Sequence, residues 1–103
     1  MKKIIKGKLY NTDTATEIGN WHNKLPMSDF CYCEETLYQT KKGVYFLVGR
    51  GGAMSRYSKT VGNMTAGTVE FIPMTEQEAF SWASGSIDPE IVQNVFGHLI
   101  EEA

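Results

Sequence analysis

No lysine or arginine occurs after Lys59 in this chain of 103 residues. Other scarcities are milder. The longest apolar run, Val44-Tyr45-Phe46-Leu47-Val48, is far short of the roughly 20 residues that span a bilayer as a helix. There are two cysteines, and Cys31 and Cys33 project from one side of an extended segment, too far apart for an ordinary disulfide. Both are expected as free thiols that pack as small hydrophobes in a reducing compartment. The start Met1-Lys2-Lys3-Ile4-Ile5 begins like a signal peptide, but Lys6 and Lys8 interrupt it before any apolar segment. A cytoplasmic location is the expectation.

What is present is sorted by sign. Residues 1–59 hold ten cations and five acids, a balance of +5, and residues 60–103 hold seven acids and no cation, a balance of −7. Small domains usually intersperse the two signs, so the segregation predicts a field with two poles, suited to recognition by another macromolecule. The 42% apolar content, with twelve aromatic residues, is enough to build one modest core and excludes a disordered tail. Residues 1–103 therefore read as a single domain.

The pattern along the chain predicts an α+β fold: a small antiparallel sheet of hairpin and meander type, followed by two C-terminal amphipathic helices packed on one face. Lys2 to Tyr10 reads as a hairpin turning at Lys6-Gly7, and Ala15 to His22 as a strand on the strength of Thr16, Ile18 and Trp21. Phe30 to Thr40 alternates between two faces, Lys41-Lys42-Gly43 makes a turn with Gly43 in the left-handed region, and Val44 to Val48 returns antiparallel. Ala53 to Val61 is expected as one or two helical turns stopped by Gly62-Asn63. A strand around Val69, Phe71 and Ile72 should end at Pro73. Thr75 with Glu78 forms a capping box for a helix over 76–84, and Asp88-Pro89 starts a second helix carrying Ile91, Val92, Val95, Phe96 and Leu99.

Several constellations suggest chemistry without completing it. Gly49-Arg50-Gly51-Gly52 between a strand and a possible helix resembles a phosphate cradle, but no Walker lysine-serine pair follows and the dinucleotide pattern fails at Met54. A plain glycine turn, with Arg50, Arg56, Tyr57 and Lys59 as an exposed basic patch, is the alternative. Cys31, Cys33, His22 and His98 lack the paired spacing of a zinc site. Glu34 and Glu35 point to opposite faces of a strand and so do not make an acid/base pair. No nucleophile turn of the Gly-x-Ser-x-Gly kind occurs. Tyr32, Tyr38 and Tyr45 could stack bases, but are better read as spanning the wet edge of a sheet face packed under helices. No catalytic, cofactor or metal residues are assigned, and a non-enzyme is expected.

Three stretches carry a family resemblance: Lys6-Gly7-Lys8-Leu9-Tyr10-Asn11-Thr12-Asp13-Thr14-Ala15; Glu35-Thr36-Leu37-Tyr38-Gln39-Thr40-Lys41-Lys42-Gly43 through Phe46-Leu47 to Gly51-Gly52-Ala53-Met54-Ser55; and Ile72-Pro73-Met74-Thr75-Glu76-Gln77-Glu78-Ala79. They resemble small proteins of phages and conjugative elements of Gram-positive bacteria, some of which are anti-CRISPR proteins against type II-A systems. The resemblance implies an inhibitor that binds a Cas9 effector, alone or with its guide RNA, so as to interfere with guide-RNA loading or target-DNA engagement. Such effectors hold nucleic acid in positively charged channels. The expected contact residues are Glu76, Glu78, Asp88, Glu90, Glu101 and Glu102 as an acidic set, with Arg50 and Arg56 as basic contacts. The alternative is an RNA- or DNA-binding accessory protein of a mobile element, using Arg50, Arg56, Lys41, Lys42 and the tyrosines.

Overall fold

Tyr45 to Val48 of the apolar run become the buried start of a strand whose sheet is covered on both sides, while Val44 stays exposed at the preceding turn. The computed structural model describes all 103 residues. It contains seven strands and two helices: β1 (Lys2–Ile5), β2 (Lys8–Asn11), β3 (Thr16–His22), β4 (Cys33–Gln39), β5 (Tyr45–Gly51), β6 (Ser58–Val61), β7 (Met64–Met74), α1 (Glu76–Ser86) and α2 (Pro89–Phe96), with a final 3-10 turn at Gly97–Leu99. β1 and β2 form a separate two-stranded hairpin, and the other five strands form one antiparallel sheet in the order β3-β4-β5-β7-β6. The fold is α+β, as the sequence pattern predicts.

Strand parity decides what each face needs. On one face Leu37 lies opposite Leu47, which lies opposite Ile72, with Tyr45 beside them. Ala79 and Ala83 of α1 and Val92 and Phe96 of α2 close over this row. The small alanines let α1 approach closely, while Phe96 fills the space against Tyr45 and Phe80. On the opposite face Tyr38, Phe46 and Phe71 lie side by side across three strands, with Phe46 stacked between the other two rings at centroid distances of 5.2 and 5.9 Å. The β1–β2 hairpin covers this second face by setting Tyr10 edge-on to Phe46. Aromatic pairs at such distances add to the stabilisation from burial alone.

Local chemistry fixes the ends. The first hairpin turns through Lys6 and Gly7, both with positive φ (51° and 79°), as a tight antiparallel connection requires. Thr75 caps α1 reciprocally with Glu78, and Asp88 accepts the Glu90 amide ahead of Pro89 at the start of α2. The strands expected over 15–22 and after the Lys41-Lys42-Gly43 turn are present, with Gly43 at φ 85°.

Four local expectations are corrected. Residues 53–61 are not helical: a bend over 53–57 leads into β6, and Gly62-Asn63 is a hairpin turn rather than a helix stop. Pairing with β7 from Ser58↔Gly67 to Val61↔Met64 wins over the weak local helical pattern. Gly49 and Gly51 belong to β5, so the glycine-rich stretch is strand and not a turn. Pro73 does not end β7, which runs on to Met74 opposite Tyr45. β6 covers β7 only as far as Gly67, so Pro73 lies where one edge of β7 has no neighbouring strand and its missing N–H is tolerated. The central strand begins at Cys33 rather than Phe30, because residues 27–32 form turns held by Asp29.

The chain is long and flat, 49 × 34 × 19 Å, with a radius of gyration of 14.9 Å, against about 13 Å for a compact domain of this length. The β6–β7 hairpin extends beyond the core with Val61 and Met64 exposed. Phe46 is fully buried at the centre of the hairpin-side cluster. Phe46→Ala is expected to lower unfolding stability by about 3–5 kcal/mol, read as a drop in the urea midpoint at an unchanged denaturant slope.

Candidate functional site: two charged layers

The two covers of the sheet carry opposite charge. The hairpin cover holds Lys2, Lys3, Lys6 and Lys8, all exposed. The helical cover holds Glu76, Glu78, Asp88 and Glu90, with Glu101 and Glu102 following, also all exposed. None of these six acids pairs with a lysine or arginine; the sole ion-pair contact among them joins Glu76 to His98 at 3.0 Å. Sorting by position in the chain therefore persists as sorting by face.

The acidic set is not uniform. The Glu78 carboxylate is tied to Thr75, whose backbone and side-chain hydrogen bonds hold its pKa below the ordinary value. Asp88 accepts the Glu90 amide at 2.8 Å. Both are partly committed to starting helices, where the dipole favours carboxylates. Glu90 shares the first turn of α2 but accepts no capping bond, Glu101 and Glu102 lie beyond the helices, and neither helix has a cation in its last turn to offset them.

Both arginines lie against carboxylates. Arg50 crosses from β5 to β4, donating from Nε to Glu34 Oε1 at 2.6 Å. Burial acts to raise the pKa of Glu34, but the hydrogen bond and charge of Arg50 outweigh it and hold the carboxyl below its usual range. Arg56 lies 3.4 Å from Glu35 and over the ring of Tyr57. The basic face consequently rests on lysine.

Glu35 forms a junction that the sequence reading did not identify. The residue is 4% exposed, and its side chain accepts from the Tyr57 hydroxyl and from Trp82 Nε1, the latter at 3.0 Å. One carboxylate thus joins β4, the 53–57 bend and α1. Burial first, and then the bond to Glu35, raise the Tyr57 phenol well above its ordinary range. Gly49 lies opposite Glu35 in the ladder, and a Cβ there would fall 2.0 Å from the Tyr57 ring. The glycine exists to let that ring lie flat on the sheet, which accounts for it without a phosphate. The available signal was parity: Glu35 shares a face with Cys33 and Leu37, both core positions.

Of the tyrosines expected at a wet edge, Tyr32 and Tyr45 are buried instead, and Tyr38 is half-buried and stacks on Phe46. Of the two thiols expected in the core, Cys33 is buried and Cys31 is exposed. Burial, and then Glu35, raise the Cys33 pKa. Glu34 and Glu35 do point to opposite faces, one to Arg50 and one to Trp82. No group of three or more His, Cys, Asp or Glu gathers in an arrangement that could hold a metal, and no helix is long and apolar enough to cross a membrane. No known family, characterised protein or solved structure matches the chain.

Two outcomes follow from these contacts. Tyr57→Phe removes a donor from a buried carboxylate and should cost about 1–3 kcal/mol, whereas Gly49→Ala should displace the ring itself and cost at least as much; thermal melts of both variants check the order. Glu34 has a folded pKa below its unfolded one, so its contribution is complete above the unfolded value of about 4.3 and is lost as pH falls through the folded value. Arg50 is 40% exposed, and solvent screening limits this contribution to on the order of 1 kcal/mol. Melting temperatures measured down to about pH 2 should fall less steeply below about pH 4 for Glu34→Gln than for the parent protein.

Proposed function

We propose that this protein is a non-enzymatic inhibitor that docks on a type II-A Cas9 effector and interferes with guide-RNA loading or target-DNA engagement. The observation that supports the reading is the acidic layer: six exposed carboxylates on and after the two helices, with no lysine or arginine among residues 60–103. Effectors of this class hold nucleic acid in channels rich in positive charge, and a surface of unpaired carboxylates is complementary to such a channel. Complementarity of this kind steers encounter and fixes orientation more than it sets raw affinity. The effector's identity comes from the resemblance of the three stretches quoted above, and the acidic layer gives that resemblance a physical surface. Cytoplasmic action in a bacterial host belongs to the same proposal.

The structure of the caps decides which acids test it. Glu78 and Asp88 are poor choices because their removal weakens helix starts. Glu90, Glu101 and Glu102 are exposed and do not accept a capping bond. The triple change Glu90→Lys/Glu101→Lys/Glu102→Lys should leave the circular dichroism spectrum unchanged while reducing co-purification with the effector and inhibition of its DNA cleavage by at least about tenfold, the effect of losing 1.4 kcal/mol. Full inhibition by the folded triple variant would remove the acidic layer from the mechanism.

A further inference from the structure

The positive charge without a carboxylate partner resides on the eight lysines, because Glu34 and Glu35 engage both arginines and Asp13 lies 3.8 Å from the amino terminus. Three of those lysines meet in one place. Lys8 of β2 and Lys41 and Lys42 of the β4–β5 turn line a groove of about 550 Å³ between the hairpin and the sheet. No aspartate or glutamate lines it. Its remaining polar groups are also biased toward donating. Asn11 Oδ1 is occupied by the Asp13 amide at 3.0 Å, and Thr40 Oγ1 by the Val44 amide at 3.1 Å. The Asn11 Nδ2 amide and the Thr40 hydroxyl hydrogen remain free to donate to a ligand. Thr14 donates within the wall to the Asn11 carbonyl at 3.4 Å.

A groove lined by three cations and uncommitted donors selects an anion, and because its lysines come from both the hairpin and the β4–β5 turn, a ligand with several charges engages them together. We propose that it binds the sugar–phosphate backbone of a single-stranded nucleic acid, with Lys8, Lys41 and Lys42 contacting neighbouring phosphates. A nucleic-acid strand carries a charge on every unit, so a short stretch supplies several anions to one groove. An acidic helix presents carboxylates three or four residues apart on a face and would bring fewer. The one aromatic ring in the lining, Tyr10, is buried against Phe46, so no ring is available for base stacking and binding should be indifferent to sequence. The surface shares no residue with the acidic layer, so either reading can fail without the other.

The test is fluorescence anisotropy of a labelled oligouridylate and a labelled oligoadenylate across a salt series, using the full chain. Three phosphate contacts predict a slope of log affinity against log salt of about −2, from about −0.7 per contact on single strands, with similar affinity for the two oligonucleotides. Lys41→Gln/Lys42→Gln should bring the slope to about −0.7 and weaken binding at low salt by at least about tenfold. Lys24→Gln/Lys59→Gln makes the same change in net charge away from the groove and should shift affinity less than about twofold. Equal loss in the two double variants, absence of binding at low salt, or equally tight binding of labelled polyglutamate would each overturn the assignment. Circular dichroism of both variants establishes that the fold is unchanged, since all four lysines are exposed.

Discussion

The constraint that organises this molecule is that its central strand pair, β4 and β5, presents apolar side chains on both faces. Leu37 and Leu47 face one way, and Tyr38 and Phe46 the other. A sheet with one greasy face needs one cover; this sheet needs two, and a chain of this size has few segments to spare. The C-terminal helices close the first face and the N-terminal hairpin closes the second. The ends of the chain are thereby assigned to opposite sides of the sheet. Charge that differs between the ends becomes charge that differs between faces, and the segregation visible along the sequence acquires a direction in space.

A second constraint ties the covers to the sheet. Burying a carboxylate is costly unless hydrogen bonds satisfy it, and Glu35 satisfies that condition with Tyr57, Trp82 and Arg56. The network holds α1 and the 53–57 bend in one relation to β4. Its loss would unseat the bend and, with it, the base of the β6–β7 hairpin. Glu34, the neighbour in sequence, answers to a different partner on the other face. Adjacent acids in a strand are here two separate structural devices, and the alternation of strand side chains is the reason.

Legibility in the sequence followed the strength of local signals. The first hairpin, the Lys41-Lys42-Gly43 turn, the Thr75–Glu78 box and the Asp88-Pro89 start all rest on short-range chemistry, and each appears where that chemistry places it. The segment 53–61 has no such signal, and its state is decided by a partner strand several residues later. Gly49 and Gly51 read as a turn because glycine is ambiguous between a turn and a close approach; only the position of the Tyr57 ring resolves it. For the candidate surfaces, the six acids were visible because no lysine or arginine pairs with them in sequence or space. The ion pairs of the arginines left no local trace, because their carboxylate partners, Glu34 and Glu35, lie on a neighbouring strand at a separation of 16 and 21 positions. Lys8 joins Lys41 and Lys42 only through the docking of the hairpin on the sheet, a long-range event with no local trace.

The two charged layers are close in space yet electrostatically distinct. At physiological ionic strength the field of an exposed charge decays over about 8 Å. Even the shortest dimension of the molecule, 19 Å, is more than twice that length. A partner at one face therefore responds chiefly to the charges of that face, and the net charge of −2 governs only the distant approach. A weakly acidic protein can on this basis present a lysine groove to a polyanion and a carboxylate layer to a basic channel without either cancelling the other. Lowering the salt lengthens the decay to about 30 Å at 0.01 M, and the layers would then compete, so the separation of functions is itself a property of physiological salt.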